Sequence, residues 1–383
     1  MSSLTRSPLS HPTGHCLDSP PKNSTKLLRP QHKSYLLASL PSLPRWFVSL
    51  DASKPWIVYW LLHSLSLLGV EIPEEVGRRA VRVLKGCWSD GGFGGGVGQI
   101  PHVATTYAGV NALAIVGTEE AYDLVDRQAL LAFLLRLKHK DGSYTMHEGG
   151  EVDVRGIYCA LATAKLVGIL TSELYEGSAA FIHRCQTYEG GIGGAPGYEA
   201  HGGYTFCAVA ALELIDQLEI LDLDLLTHWL VSRQLPLEGG FQGRTNKLVD
   251  GCYSFWQGGA FPILETALAR RSEKRGGARV DIFNRERLQE YILACCQNRK
   301  GGLRDKPEKY PDYYHTCYVL SGLSLAQHSY AWDEKEDDIV VQGANVVVGV
   351  KENLLQSTHP IHNILPRRVA RIKAHFASLP VVE

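Results

Sequence analysis

Apolar positions along the chain alternate between two kinds of predicted helix. The first kind is amphipathic and starts after an N-cap residue such as Asp126; its apolar positions follow the i, i+3, i+4, i+7 rule at Leu130, Phe133, Leu134 and Leu137. The second kind, such as the segment from Ile157 to Leu170, is apolar on nearly every side and is typical of a buried helix. The pattern therefore predicts repeated pairs of helices, with one partner facing water and the other buried.

Turns that contain glycine separate these pairs at nearly even intervals. Their glycines are Gly91, Gly142, Gly190, Gly239 and Gly301, at intervals of 51, 48, 49 and 62 residues. The long interval contains a polar insert, from Arg270 to Gly277, which we interpret as a solvated loop. Such repeats can stack as an open solenoid or close into a ring, and an all-apolar inner layer favours closure. We therefore expect an all-α fold that closes into a ring.

The two ends of the chain differ from the repeats. Residues 1–34 are rich in Ser, Pro, His and Lys, which predicts a disordered arm before a single domain, with a C-terminal tail, over residues 35–383. Near the start of that domain, Trp56 and Trp60 lie four residues apart on one helix face, a spacing that alone favours core packing over a ligand-binding wall. The acidic segment from Trp332 to Asp338 is interpreted as a solvated connection to the tail.

Composition excludes several classes of function. Lys plus Arg number 39 and Asp plus Glu 40 among 383 residues, so no overall charge favours nucleic acid or acidic lipid. No apolar run approaches the roughly 20 residues that span a bilayer, and the start of the chain lacks the apolar core of a secretory signal. Nine Cys, an odd number, fit reduced thiols better than a disulfide framework. We expect a cytoplasmic protein without a membrane span.

Polar residues recur at one position of the predicted inner helices. Alignment of the repeats on their turns places four polar residues three positions before Tyr158, Tyr204, Tyr253 and His315, namely Arg155, His201, Asp250 and Asp312. In a closed ring these positions share one rim, where the N–H groups of helix N-termini also favour anions. We therefore expect the functional site at this rim.

Three sets of residues converge there. Asp250 and Cys252, separated by one Gly, combine with His315 into a zinc-binding set that leaves a fourth coordination position open. A second set suits a diphosphate, because Arg offers a planar fork and Lys a point charge; it consists of His201, Arg244 and Lys247. The aromatic set, which would wall a cavity for a long apolar ligand, consists of Tyr158, Tyr204, Tyr253, Trp256, Trp56 and Trp60. Together they indicate alkylation of a zinc-bound thiolate by an allylic diphosphate.

Five motifs resemble the protein prenyltransferase beta subunits, those of protein farnesyltransferase in particular. They read D-G-G-F-G-G-G-V-G-Q-I-P-H, G-G-E-V-D-V-R, E-A-H-G-G-Y-T-F-C, G-R-T-N-K-L-V-D-G-C-Y-S-F-W and D-Y-Y-H-T-C-Y-V-L-S-G-L. The similarity runs from about Tyr35 into T-H-P-I-H-N-I near the C-terminus. It implies a six-hairpin α/α toroid of the prenyltransferase/terpenoid-cyclase type, working as the catalytic subunit of a heterodimer with an alpha subunit. The implied substrate is the CaaX Cys, four residues from the C-terminus of proteins such as small GTPases.

The resemblance also implies roles for individual residues. The zinc ligands would be Asp250, Cys252 and His315. The diphosphate would be held by His201, Arg244, Lys247 and Tyr253, with a Lys of the alpha subunit. Positions along the isoprenoid path are matched by Arg155, Tyr158, Tyr204, Cys207 and Trp256, and positions on the peptide side by Trp56, Trp60, His102, Ala104 and Tyr314. Asp305 matches an acidic position linked to the use of magnesium at the diphosphate.

The choice of prenyl donor depends on the depth of the cavity. Trp56 and Tyr318 match bulky residues at the end of the farnesyl pocket, and Asp305 stands where type I geranylgeranyl enzymes carry a Lys. Both observations favour farnesyl diphosphate, with a type I geranylgeranyltransferase beta subunit as the alternative. A terpene cyclase would need an acidic motif such as D-x-D-D, which the sequence lacks. A non-catalytic helical scaffold, the other alternative, predicts neither a metal nor an apolar cavity.

Overall fold

The computed structural model describes residues 25–43, 45–273 and 281–382. Helices dominate this part of the chain, with short connections. In chain order they are α1 (Arg29–Leu37), α2 (Lys54–Leu67), α3 (Glu74–Cys87), α4 (Val103–Val116), α5 (Glu119–Tyr122), α6 (Arg127–Leu137), α7 (Val154–Leu166), α8 (Ser172–Tyr175), α9 (Ser178–Cys185), α10 (Gly202–Leu214), α11 (Leu223–Val231), α12 (Tyr253–Trp256), α13 (Ala260–Glu273), α14 (Arg285–Tyr291), α15 (Tyr313–Gln327) and α16 (Pro366–Ala377).

Strands and other helical turns occupy little of the described chain. Strands β1 (Trp88–Ser89) and β2 (Gly92–Phe93) pair antiparallel, as do β3 (His328–Asp333) and β4 (Asp338–Ala344). Short 3-10 turns cover Arg45–Ser53, Leu218–Ile220 and Lys351–Asn353, and a π-helical turn, Ile292–Cys296, extends α14. No described helix combines the length with the apolar composition needed to cross a bilayer.

The helices form two concentric layers, and the inner layer closes on itself. Around the ring, α2 packs on α4, α4 on α7, α7 on α10, α10 on α12 and α13, and α12 on α15, which returns to α2. Helices α1, α3, α6, α9, α11 and α14 each precede an inner helix and lie outside it, which makes six helical hairpins. The prediction of an all-α, closed α/α toroid is confirmed.

The two predicted kinds of helix correspond to the two layers. In the outer helix α6, the Asp126 carboxylate caps the N-terminus by accepting a hydrogen bond from the Ala129 N–H at 3.0 Å, and Leu130, Phe133, Leu134 and Leu137 are buried. The inner helices α4 and α10 are buried along almost their whole length. Burial on every face removes the amphipathic stripe, as their sequences predict.

The repeated glycines lie where each hairpin turn approaches the next outer helix. All five, Gly91, Gly142, Gly190, Gly239 and Gly301, have positive φ. A Cβ on Gly91 would lie 2.0 Å from the backbone carbonyl oxygen of Ala129 in α6. A Cβ on Gly301 would lie 2.3 Å from the backbone carbonyl oxygen of Gln31 in α1. Only glycine tolerates both the left-handed backbone and this contact. Because Gly301 contacts the first outer helix, this packing also closes the ring.

The start of the domain lies earlier than predicted. Residues 1–24 of the expected disordered arm lie outside the described part of the chain. Residues 25–34, however, form a turn and the beginning of α1, and Leu27 and His32 are buried. Gln297 Oε1 accepts a hydrogen bond from the Leu28 N–H at 2.7 Å and lies 3.0 Å from His32 Nε2. The prediction of disorder is therefore wrong for residues 25–34, because a distant polar partner and buried apolar side chains order them.

Two segments that we interpreted as solvated connections are structured. Residues 270–273 of the polar insert continue α13, and the Arg270 guanidinium pairs with Glu213 and lies 4.3 Å from the ring centroid of Trp332; residues 274–277 lie outside the described chain. The acidic segment forms the turn of the β3–β4 hairpin. Its Asp338 carboxylate accepts a hydrogen bond from Lys373 Nζ at 2.8 Å and lies 3.0 Å from His359 Nε2. The interpretation as solvated connections is therefore wrong for Arg270 and Asp338, because each forms an ion pair with a buried side chain.

The C-terminal tail closes one end of the ring. Hydroxyl groups from three inner helices donate hydrogen bonds to consecutive tail carbonyls: Tyr158 to Ile361 at 2.7 Å, Tyr107 to His362 at 3.1 Å and Tyr59 to Asn363 at 2.7 Å. All six residues are buried. Within the described residues, the tail therefore covers the end of the toroid that lies opposite the starts of the inner helices.

Candidate active site

A cavity of about 790 Å³ lies inside the ring at the end where the inner helices begin. The residues that line it include most of those predicted for the isoprenoid, peptide and diphosphate: Trp56, Trp60, His102, Ala104, Arg155, Tyr158, His201, Tyr204, Cys207, Arg244, Tyr253, Trp256, Tyr314 and Tyr318. Trp56 and Trp60 stack with ring centroids 5.7 Å apart. Both indole rings pack against the hydrophobic core, as their spacing favours, and both also form part of the cavity wall.

Asp250, Cys252 and His315 form a compact cluster beside this cavity. One potential ligand atom of each lies within 4.8 Å of the others, and no other described residues form a comparable group. Asp250 and Cys252 converge because the chain turns just before α12: Asp250 Oδ1 accepts a hydrogen bond from the Cys252 N–H at 2.8 Å. His315 Nε2, from the first turn of α15, lies 3.4 Å from the same oxygen.

The pKa values of this cluster leave Cys252 and His315 protonated near neutral pH, so a bound cation would displace their protons. Burial, followed by the charge of Asp250, raises the pKa of the Cys252 thiol well above its ordinary value. Burial alone would lower the pKa of His315, but its hydrogen bonds to Asp250 and Asp312 raise it to about 9. Burial would raise the pKa of Asp250, but the hydrogen bond and charge of His315, together with the hydrogen bonds from Cys252, outweigh burial and lower that pKa. A metal ion would take the place of the imidazolium proton.

Asp312 fixes the orientation of the His315 ring. As the N-cap of α15 it accepts a hydrogen bond from the His315 N–H at 2.7 Å, and its other oxygen lies 2.6 Å from His315 Nδ1. This contact places the proton on Nδ1 and leaves Nε2 directed at the cluster. A carboxylate behind a metal-binding imidazole is the usual arrangement in metal sites, where it also raises the basicity of the ligand.

Four inner helices begin with the same capping hydrogen bond. These caps correct the predicted alignment of the repeats at one position. His102, Asp153, His201 and Asp250 each accept a hydrogen bond from the N–H two residues later, at the start of an inner helix. The equivalent position in α7 is thus Asp153, and Arg155 was placed there wrongly. Because the Asp153 side chain caps the helix, Arg155 falls in the first turn and pairs with Asp153 at 2.6 Å.

The residues expected to hold a diphosphate lie at the rim with different degrees of burial. His201 Nε2 lies 3.0 Å from the Tyr253 hydroxyl. Arg244 donates to Glu199 at 2.7 Å, and Lys247 is exposed and forms no ion pair with a described residue. Neither Lys247 nor the metal cluster lines the cavity itself. An anion at the rim could therefore pair with Lys247 without displacing a carboxylate, whereas Arg244 already pairs with Glu199.

Asp305 lies next to the metal cluster rather than in the cavity wall. Burial, followed by the charge of Asp250, raises the pKa of Asp305, and Lys306 pairs with one of its oxygens. Its other oxygen, Oδ1, is buried without a hydrogen-bond partner. An unpaired carboxylate oxygen near a second carboxylate suits a hard divalent cation such as magnesium.

Sequence reasoning missed part of the cavity wall. Ser53, Tyr107, Glu151, Cys159 and Gly203 also line the cavity. Tyr107 stands one hairpin before Tyr158, and the hydroxyl oxygens of these two residues lie 2.9 Å apart. Extending the Tyr158 register back by one repeat of 51 residues would have found Tyr107. Glu151 carries no such signal.

The fold and the site define a class of protein. Residues 27–364 match the family model described as prenyltransferase alpha-alpha toroid domain. Among solved structures, the protein geranylgeranyltransferase-I of Candida albicans in complex with GGPP shares the fold, with a TM-score of 0.71 and 23% identity over 92% of this chain and 99% of that one. A closed ring of helical hairpins around an aromatic cavity is therefore the architecture of prenyltransferases.

Sequence relatives narrow this class. The chain is 43% identical to protein farnesyltransferase subunit beta of Schizosaccharomyces pombe, over 91% of this chain and 90% of that protein. It is 39% identical to the subunit of the same name from Arabidopsis thaliana, over 90% and 81%. Geranylgeranyl transferase type-1 subunit beta of Arabidopsis thaliana is 30% identical over 81% and 88%. The chain belongs to the prenyltransferase alpha-alpha toroid family and, within it, to the protein farnesyltransferase beta subunits.

Proposed function

We propose that this chain is the catalytic beta subunit of a heterodimeric protein farnesyltransferase. It would transfer a farnesyl group from farnesyl diphosphate to the Cys thiol of a C-terminal CaaX motif. The protein substrates would be CaaX-containing proteins such as small GTPases. The observation that carries this proposal is the position of the Asp250, Cys252 and His315 cluster at the edge of an aromatic cavity. Tyr314 joins the two, because it lines the cavity and its side chain is hydrogen-bonded to that of Cys252 in the cluster.

The donor set fits one zinc ion. A carboxylate, a thiolate and an imidazole are common zinc ligands, and three protein ligands are typical of a catalytic rather than a structural site. Bound there, zinc would lower the pKa of an entering thiol, so that the thiolate is available near pH 7 instead of about pH 8.5. Asp250 and Cys252 would already balance the charge of the ion, and Asp312 would hold the His315 ring in place.

Residues at the rim would stabilise the departing diphosphate. Arg244 and Lys247 supply positive charge, and the Tyr253 hydroxyl, 3.0 Å from His201 Nε2, is positioned to donate a hydrogen bond. As the bond between carbon and oxygen breaks, negative charge grows on the diphosphate, and these groups would interact with it most strongly in the transition state. Asp305 would hold magnesium, which when bound neutralises diphosphate charge.

The closed floor of the cavity favours a fifteen-carbon donor over a twenty-carbon one. The Tyr107 and Tyr158 hydroxyls contact each other and the tail carbonyls, so the end of the cavity is fixed by hydrogen bonds. Trp256 and Tyr318 narrow it further, with ring centroids 4.5 Å apart. Enlarging this floor would require the removal of aromatic side chains.

The proposal includes a partner and a location. The relatives' names describe a beta subunit, and we infer that an alpha subunit completes the site by contributing a diphosphate-binding Lys. All eight described cysteines are free thiols, which supports a reducing, cytoplasmic environment.

The experiment that tests the proposal is a transfer assay. The chain, coexpressed with an alpha subunit, is incubated with a dansylated CaaX peptide and either farnesyl or geranylgeranyl diphosphate. We expect rapid transfer of farnesyl, slower transfer of geranylgeranyl, and about one zinc ion for each complex, lost in Cys252→Ala. Preference for geranylgeranyl would replace the proposal with the type I alternative. If the complex contained no zinc and transferred neither group, the proposal would be replaced by the alternative of a non-catalytic helical scaffold.

A further inference from the structure

A second cavity lies at the opposite end of the inner helices from the rim. Its volume is about 520 Å³, and it is lined by the C-terminal ends of α7 at Lys165 and α10 at Glu213, by Arg270 of α13 and by the β3–β4 hairpin. Ile361 of the tail also lines it, and the carbonyl of this residue accepts the hydrogen bond from Tyr158, which lines the first cavity. The tail therefore separates the two cavities, and the proposed farnesyl transfer does not use the second one.

The charges around this second cavity favour a cation. The lining carboxylates are Glu213, Asp216, Glu219, Glu334, Asp337 and Asp338, and the lining cations are Lys165, Arg270 and Arg271. Acidic groups therefore outnumber basic groups by six to three. The helix C-termini add partial negative charge, because their last carbonyls point away from the helix. Asp338 is also paired with Lys373 and His359, which do not line the cavity, so the excess of negative charge comes from the other carboxylates.

Two buried polar atoms of the lining have no hydrogen-bond partner. Glu213 Oε1 pairs with Arg270, but Oε2 is unpartnered although the side chain is only 2% exposed. His362 Nδ1 is unpartnered in a residue that is 1% exposed. Burial, followed by the charge of His359, holds the pKa of His362 well below its ordinary value, so the ring is neutral and one nitrogen can accept. Both atoms can serve as acceptors, and both lack a donor.

Burial with an unpartnered oxygen makes the ionised form of the Glu213 carboxylate less favourable. Burial raises the pKa of Glu213 to about 7, against the opposing attraction of Arg270. A second positive group beside Oε2 would favour the ionised carboxylate. A metal ion is not favoured, because the described residues place no group of three ligands at coordination spacing here. A ligand that carries its own N–H donors satisfies both the charge and the acceptors.

We propose that this second cavity binds a primary ammonium group, with Glu213 Oε2 and His362 Nδ1 as hydrogen-bond acceptors. Apolar side chains of the lining, Leu214, Ile215 and Ala267, contact the alkyl stem that carries the ammonium. A free alkyl diamine and the Lys side chain of another protein share this chemistry. The proposal is independent of the proposed farnesyl transfer, because none of these residues belongs to the rim or to the first cavity.

Isothermal titration calorimetry tests this inference on the full-length chain coexpressed with an alpha subunit. The probes are butane-1,4-diamine, N-acetyl-lysine amide and, as the uncharged control, butane-1,4-diol. Glu213→Gln keeps the shape of the side chain but removes its charge, and Ala267→Met fills the cavity without a change of charge. Asp216→Asn is the matched control, because this carboxylate lies at the exposed edge of the cavity, with 96% of its side chain accessible.

We expect saturable binding of an ammonium probe to one site and no binding of the diol. Glu213→Gln and Ala267→Met should each weaken binding at least tenfold, and Asp216→Asn should change it less than twofold. Tighter binding of the diamine would indicate a free amine as the natural ligand, and tighter binding of the lysine amide a protein side chain. Binding of the diol at equal strength, equal binding to all variants, or no saturable binding would overturn the proposal.

Discussion

Replacement of Asp312 should weaken zinc binding without direct loss of a ligand. The carboxylate holds His315 Nδ1 at 2.6 Å and also caps α15 through the His315 N–H at 2.7 Å. Asn at this position can still cap the helix, but it removes the negative charge behind the imidazole. Loss of such a partner typically lowers metal affinity by about 10- to 100-fold, which is about 1.4–2.7 kcal/mol. We therefore expect Asp312→Asn to bind zinc at least tenfold more weakly than the wild type.

Asp312→Ala separates the two roles of this side chain. It should weaken zinc binding to a similar degree and, in addition, lower the free energy of unfolding of the metal-free protein by about 1 kcal/mol through loss of the cap. The matched control is Asp126, which caps the outer helix α6 in the same way but is not part of the metal cluster. Asp126→Ala should cost the same stability and leave zinc affinity unchanged.

The assay is a competition titration with a chromophoric zinc chelator, combined with urea unfolding of the metal-free protein. The reasoning would be refuted if Asp312→Asn bound zinc as tightly as the wild type, or if Asp126→Ala weakened zinc binding as much as Asp312→Ala did. The first result would show that the orientation of His315 does not depend on Asp312. The second would show that the effect comes from general loss of stability.

Three further predictions concern the rim, the cavity and the cluster. Lys247→Ala should lower the single-turnover rate about 100-fold at unchanged zinc content, because it removes charge from the departing diphosphate; an unchanged rate would exclude this role. Trp56→Ala enlarges the cavity and should shift the ratio of farnesyl to geranylgeranyl transfer toward the longer donor, whereas an unchanged ratio would show that Trp56 does not limit length. Zinc affinity should fall as pH falls below about 9, because zinc must displace a proton from His315, whose pKa is about 9 without metal; a flat profile from pH 6 to 8 would contradict this.

The toroid could be predicted because its signals are local. A left-handed glycine at each turn and an all-apolar second helix repeat through the chain, and the close contact of each turn with the next outer helix explains why the glycines recur. The metal cluster could be predicted for a similar reason. Cys252 lies two residues from Asp250, and His315 lies near the equivalent position of another inner helix.

What the sequence did not predict depends on partners far along the chain. Leu28 and His32 are held in place by Gln297, about 270 residues further along the chain, and a local pattern of Ser, Pro and Lys cannot show this. Asp338 is largely shielded from solvent, with 17% of its side chain exposed, because the tail brings His359 and Lys373 to it. Arg155 was misplaced by two residues because an alignment on turns does not show which side chain caps the helix.

X-ray absorption at the zinc edge tests the central claim most directly. The complex of this chain with an alpha subunit should contain zinc with one sulfur ligand, from Cys252, and lighter ligands from Asp250 and His315. Addition of a CaaX peptide should raise the number of sulfur ligands to two, and a peptide with Ser in place of Cys should not. Zinc without a sulfur ligand, or one sulfur ligand before and after addition of the peptide, would contradict the account.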